Sequence, residues 1–234
     1  MRPAHWFLPY DLYERHAVVA RLIAAHGSRG LRVLDVGGRA GLLGRFTPCS
    51  VISANVDRSG DVRCDGMALP FPDAAFDITV TIDTLEHMPR ERRPAFVREC
   101  LRVSARAVIV AAPFGSPGHA EAEARLHALF RALTGQPHPY LAEHVAYGLP
   151  DMAEIQHLAA CSGARLARLA FAGDYRREAR HFAAAIRSRA QRDWRARGEA
   201  LLWHWRSRAL LTRLRLSDQP QPHSNRFFME LLPG

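Results

Sequence analysis

The run Leu31–Gly41, LRVLDVGGRAG, ends an apolar strand on an acid, Asp35, and follows it with a glycine-rich turn. Twenty-two positions beyond Asp35, a second apolar run, Val51–Asp57, again ends on an acid. Glycines let backbone approach a ligand, and an acid ending the second strand can accept hydrogen bonds from two ribose hydroxyls. This is how an α/β sheet grips a nucleoside, so the pattern implies a nucleoside-bearing cofactor. The spacing DVGGRAG does not fit the G-x-G-x-x-G dinucleotide fingerprint, and no Gly-Lys-Ser/Thr follows to cradle phosphates. Taken alone, such a turn also serves simply to join a strand to a helix. Proton-transfer chemistry is offered by His87 in LEHM, His138, and the pair Glu143–His144 in LAEH. An unperturbed imidazole titrates near pH ~6.5 and so can act at neutral pH.

The elements that must position these residues follow from the apolar pattern. Helical spacing runs from Asp11, a candidate N-cap, to His26, with Gly27 as the stop. Strands are expected at Arg32–Val36, Val51–Val56, Asp61–Cys64, Asp77–Ile82, Ala107–Ala112, Arg165–Phe171 and Arg226–Leu232. Helices are expected from Gly41 to Phe46, cut short near Pro48, and at Glu91–Val103, Ala120–Thr134 and Met152–Ser162. A long arginine-rich helical segment, Tyr175–Leu216, is expected to break near Gly198 and lead into a polar linker, Ser217–Ser224. Alternating strands and helices imply an α/β fold with a doubly wound, mostly parallel sheet. Ligands of such sheets bind beyond the carboxyl ends of the strands. Two insertions, 114–150 (lid-like) and 172–222 (arginine-rich), follow the fifth and sixth strands there and should lie over the crevice.

At 234 residues, 48% hydrophobic and 24% charged, the chain is long enough for one α/β domain with decorations. No apolar stretch reaches the roughly 18–20 residues that span a bilayer, and the first residues lack signal-peptide character. The expectation is a cytoplasmic protein. Cys49, Cys64, Cys100 and Cys161 are scattered, with no CxxC and no adjacent His spacing, which argues against both a zinc site and a disulfide framework, and no metal is expected. The net charge of +9 rests on arginine alone, since there is no lysine. Between Arg165 and Leu216, fourteen arginines face only four acids, so the basicity belongs to one segment.

The ordered set VLDVGGRAG, NVDRS and CDGMALPFPDAAFDITVTIDTLEHM resembles the class I S-adenosylmethionine-dependent methyltransferases, in particular the small bacterial type 11 group. The resemblance is clear from Leu31 to Pro113 and fainter to Pro150. It implies a seven-stranded sheet whose last strand is antiparallel, with S-adenosylmethionine as cofactor. Asp35 would hold the glycine loop and the cofactor's amino group, and Gly37, Gly38 and Gly41 would line its methionine and ribose. Asp57 would bind the ribose hydroxyls, with Arg58 covering the adenine. Asp65 would accept from the adenine amine beside Gly66 and Met67, while Asp83 and Leu85 would contact the methionine or methyl region. Arg39 stands where the family commonly has glycine, so its side chain must turn away or the loop must shift.

Sulfonium activation belongs to the cofactor, so the protein mainly aligns the reacting atoms. A base is needed only for a hydroxyl or acidic-carbon acceptor, and His87, Glu143 and His144 are the candidates. Small-molecule, sugar or lipid-linked acceptors suit this reading, and arginine forks, Arg176, Arg177, Arg180 and Arg187 among them, would suit a phosphate on one. The Leu- and Trp-containing run Leu201–Leu216 also fits peripheral contact with an anionic membrane, or a solvated helix face. Nucleic acid is less supported, because no recognition motif accompanies the charge. A domain that keeps the fold but acts as a binding or regulatory protein is the alternative.

Overall fold

The computed structural model describes residues 8–27, 30–190 and 215–234, with Trp194, Arg195, Arg197, Gly198, Leu201 and Leu202 between the last two segments. Seven strands form one sheet: β1 (Arg32–Val36), β2 (Ser50–Asn55), β3 (Val62–Arg63), β4 (Phe76–Ile82), β5 (Ser104–Pro113), β6 (Arg165–Ala172) and β7 (Arg226–Leu232). Their spatial order is β3-β2-β1-β4-β5-β7-β6. β1 to β5 are parallel, and β7 lies antiparallel between β5 and β6, as the sequence led us to expect.

The central strands are buried on both faces, which is why they read as near-continuous Val, Ile and Ala runs. Side chains alternate between two cores. Leu34, Val36, Val108, Val110, Phe227 and Met229 face the helices α2 (Arg93–Arg102) and α5 (Met152–Cys161). Val33, Ile78, Val80, Ile109 and Phe228 face α1 (Tyr10–Ala25), which contributes Val18, Val19, Leu22 and Ile23. Three further helices, α3 (Pro117–Thr134), α4 (Pro139–Tyr147) and α6 (Tyr175–Ala190), share their own small core around Leu126, Leu141 and Ile186. Among the described residues no helix is long and apolar enough to cross a membrane.

Several local expectations are corrected. α1 starts at Tyr10 behind Pro9, and Asp11 sits in its first turn, where it pairs with Arg15 at 3.2 Å instead of capping. Gly41–Phe46 forms only a 3-10 turn, Leu43–Arg45, because Gly41 takes φ 71° and Pro48 disfavours helix just beyond. α3 begins three residues early because Ser116 caps it and Pro117 suits a first helical position. α4 went unread: its nine residues are bounded by proline and glycine, the punctuation that also marks a loop. Helix is described over Tyr175–Ala190 and again at Trp194, Arg195, Arg197, Gly198, Leu201 and Leu202, and Ser217, expected in the linker, pairs with Phe171 as an isolated bridge. Gly198 is itself helical, its neighbours Ala196, Glu199 and Ala200 lie outside the described residues, and so does most of the Leu- and Trp-containing run.

One buried cation fastens the roof helices to the sheet layer. Arg93, at the start of α2, is fully buried and donates to Glu154 Oε1 at 2.6 Å and to the Gly148 carbonyl at 2.6 Å. It also reaches the carbonyls of Met88 and Tyr147, so a single guanidinium joins the segment after β4 to the end of α4 and the start of α5. Removing one member of a buried pair strands the other. Arg93→Met should therefore lower the unfolding free energy by about 3–5 kcal/mol, read from urea titration.

Candidate functional site

The carboxyl ends of β1, β2 and β4 open into a cavity of about 1560 Å³, roofed by α3, α4 and α6. Ordinary small-molecule pockets hold roughly 300–1,000 Å³, so this space fits two ligands side by side. One end is lined by Asp35, the glycine loop, Asp57 and Asp65–Met67, the other by Glu86, His87, Glu123, Glu143 and His144. The cofactor and proton-transfer candidates singled out in the sequence line it except Arg58 and Leu85. Arg58 is exposed to solvent, and Leu85 is fully buried in the core with Val36 and Phe96. The Leu85 side chain is thus turned from the cavity, and Arg58 stands outside its lining.

The glycine end is shaped by close packing. Gly37 has φ 85°, and a Cβ there would meet Thr84 Oγ1 at 2.2 Å. A Cβ on Gly38 would overlap the Asp35 carboxylate at 2.1 Å. Asn55, at the end of β2, donates to the carbonyls of Gly37 and Gly38 at 3.0 and 3.1 Å, and Ala40 N–H donates to Ser59 at 2.8 Å. The loop is thus tied to β2, with its glycines pressed against Asp35 and Thr84. Arg39 keeps an ordinary backbone and an exposed side chain, and it borders the cavity.

The acids of this end differ in state. Asp57 and Asp65 are exposed and preorganised by local turns, accepting from Ser59 N–H at 2.7 Å and Met67 N–H at 2.9 Å. The Ser59 bonds, with lesser help from Arg39 and Arg63, hold the Asp57 carboxyl below its usual range. Asp35 is buried, its Oδ1 has no hydrogen-bond partner, and desolvation pushes its pKa up to about 7. An orphaned buried carboxylate oxygen facing a cavity fits a cationic group such as an amino acid's ammonium.

Asp83 lies at the boundary between the two ends. It has φ 53°, uncommon for a residue with a side chain, and its carboxylate pairs with Arg15 at 2.7 Å and with the buried Arg226. Burial would raise its pKa, but the two arginines outweigh that and hold it at about 2. Its charge is therefore spent on protein partners, and its expected role toward a cofactor becomes one of shaping the wall.

At the far end, His87 Nδ1 meets Glu143 Oε2 at 2.7 Å, and His144 Nδ1 meets Glu123 Oε2 at 2.9 Å. The two imidazole centroids are 4.9 Å apart. Glu86, almost wholly buried, is pushed up to about 8 by desolvation and by Asp83. Burial and His144 depress His87 despite Glu143, whereas His144 is raised, Glu123 outweighing its burial. The three expected residues are thus brought together. Glu86, Glu123, Asn55 and Thr84 are additions, and only Glu86, beside His87, had a local signal.

On α6 the cavity face is Tyr175, Glu178, Ala179, His181, Phe182, Ala185 and Arg189, a broad helical stripe. Arg176, Arg177, Arg180 and Arg187 fall outside that stripe and do not line this cavity. Arg176 and Arg177 are drawn instead to Asp174. Their expected grip on an acceptor is corrected accordingly.

Comparison with known proteins follows this geometry. Residues 47–111 match the family model of a methyltransferase domain. This is the class I S-adenosylmethionine-dependent methyltransferase fold. Its solved examples include the cyclase SpnF (TM-score 0.55, 15% identity, 93% of this chain and 80% of that one). They also include geranyl diphosphate C-methyltransferase from Streptomyces coelicolor (0.52, 11%, 93% and 79%). A third is magnesium protoporphyrin IX methyltransferase from Synechocystis, with bound S-adenosylhomocysteine (0.50, 13%, 96% and 84%). No curated protein matches in sequence.

The unpaired Asp35 gives this methyltransferase fold a measurable pH signature. Its folded pKa lies above the unfolded value, so burial costs stability increasingly from pH ~4 to ~7 and evenly above. Asp35→Asn should gain on the parent protein over that window, by on the order of 3 kcal/mol between pH 4 and 8, in urea titrations without ligand.

Proposed function

We propose that the protein transfers a methyl group from S-adenosylmethionine to a small or lipid-linked acceptor. The observation that carries this reading is one continuous cavity with a nucleoside grip at one end and a histidine–carboxylate cluster at the other. Asp57 would take the ribose hydroxyls, Asp65 with Gly66 and Met67 the adenine, and the glycine loop, Gly37, Gly38 and Gly41, the methionine chain. Asp35 would receive the ammonium group. The methyl would then face Glu86, His87, Glu143 and His144, where the acceptor's nucleophilic atom is presented and relieved of a proton.

The Streptomyces enzyme was solved in complex with Mg2+, geranyl diphosphate and S-adenosylhomocysteine, so a protein of similar fold is known with a lipid-like diphosphate and the spent cofactor. For a phosphate-bearing acceptor here, Arg189 and Arg92, which line the cavity and are exposed, suit the headgroup better than the outward arginines of α6. The unit would work as one domain, its two insertions serving as roof. The four free cysteines suit a reducing cytoplasm. SpnF, a cyclase with a similar fold, favours a second reading in which the fold is kept and methyl transfer is not.

Incubation with methyl-labelled S-adenosylmethionine and extract of the source organism tests the proposal. The parent protein should label a product. His87→Ala should lower kcat by about 100-fold or more while leaving S-adenosylhomocysteine affinity within about twofold. Asp57→Ala should weaken that affinity by about tenfold or more. Cofactor binding without any labelled product would favour the second reading, and no cofactor binding would contradict the proposal.

A further inference from the structure

The residues at the acceptor end are arranged for more than proton transfer. Glu86 and His87 come from a 3-10 turn just after β4, and His144 comes from α4, 57 residues further along the chain. One donor atom from each of the three lies within 4.8 Å of the others. Both imidazoles use Nδ1 on a carboxylate, His87 on Glu143 and His144 on Glu123. That bond fixes each ring's orientation and leaves Nε2 as the free coordinating nitrogen. Carboxylate–histidine pairs of this kind are the usual outer support of metal-bound imidazoles.

Two orphaned atoms point to a ligand. Glu86 is 1% exposed, yet its Oε2 has no hydrogen-bond partner, and neither has the buried Nε2 of His144. Glu86 Oε1 lies 3.9 Å from His87 Nε2, too far for a hydrogen bond and near enough for two ligands of one ion. A shared proton satisfies at most one such pair. A dication meets all three donors, and it also offsets Glu86, Glu123 and Glu143, three carboxylates that find no arginine hydrogen-bond partner among the described residues. Asp83 next to them is already neutralised by Arg15 and Arg226.

We propose that Glu86, His87 and His144 bind a divalent transition-metal ion of the zinc class, with an open position facing the cavity. Two imidazoles and one carboxylate are a donor set for zinc with a fourth position free. The proposal deepens the reading above, because that position would take an oxygen of the acceptor. A zinc-bound hydroxyl loses its proton far more readily than a free one. The proton passes to solvent, the oxygen–carbon bond forms as the carbon–sulfur bond breaks, and S-adenosylhomocysteine leaves as a neutral thioether. The preferred acceptor class is therefore a hydroxyl compound able to reach the metal, rather than an amine.

The test uses the full chain without a histidine tag, stripped with EDTA and titrated with zinc chloride alone in a calorimeter. One equivalent should bind at micromolar affinity or tighter. Glu86→Gln and His144→Ala should each weaken binding at least tenfold, and Glu123→Gln should weaken it by about 10-fold through the orientation of His144. His157→Ala, on the exposed side of α5, should change nothing. X-ray absorption should give nitrogen and oxygen neighbours at about 2.0–2.1 Å rather than sulfur at about 2.3 Å. Circular dichroism of each variant confirms that it is folded. Absence of binding, binding indifferent to Glu86 and His144, or sulfur ligation would overturn the site. S-adenosylhomocysteine titrated into the same samples separates the two claims: cofactor binding without zinc removes the metal alone, and zinc without cofactor removes the methyl-transfer reading alone.

Discussion

The carboxylate of Asp83 is held between the guanidinium groups of Arg15 and Arg226, three charges taken from water where α1, the end of β4 and the start of β7 meet. Each would be costly to bury alone, and together they are stable only while all three elements stay in place. Arg226 also lies close to Glu178 of α6, which accepts a hydrogen bond from the neighbouring Asn225. The clamp therefore ties the sheet to a helix on one face and to the roof above the cavity. The left-handed backbone at Asp83 is maintained by the same partners, and it directs the chain into the turn that carries Glu86 and His87.

Asp35 and Asp83 show how partner geometry assigns different work to the same residue type. Asp35 is buried and Asp83 half-buried, both at the carboxyl ends of adjacent parallel strands. Asp83 has two arginines and is held at about 2, whereas desolvation lifts Asp35 to about 7. The satisfied acid is part of the frame. The unsatisfied one remains available to a cation arriving in the cavity, and the glycines packed against it leave no side chain in the way. At the opposite end Glu86 repeats the second pattern, buried and incompletely partnered, beside two imidazoles already oriented by carboxylates.

The sheet was legible in the sequence because its strands are buried on both faces and read as apolar runs between glycines, prolines and acids. The end proposed to hold the nucleoside could be singled out for a related reason: Asp35 lies at the carboxyl end of β1, and the glycine loop, Asp57 and Asp65 follow strands closely, within one continuous stretch. Leu85 was misjudged because, beside Glu86 and His87, its side chain alone turns into the core. The far end resisted reading because its pairs span long separations, His87 with Glu143 and His144 with Glu123, joined by a short helix that looks like a loop. Cysteine spacing, the usual sign of a structural metal, has no bearing on a cluster built from histidine and glutamate. The arginine-rich segment misled because charge counting ignores the helical stripe that puts Arg189 at the cavity and Arg187 outside it.

A crystal structure of the protein with S-adenosylhomocysteine tests the account most directly. It should place the ribose hydroxyls within about 2.7–3.2 Å of Asp57, the adenine beside Asp65–Met67 and the ammonium on Asp35 Oδ1. The sulfur should point toward His87 and His144. Density for the ligand elsewhere, such as the smaller cavity between α1 and α6, or no binding at saturating concentration, would contradict it.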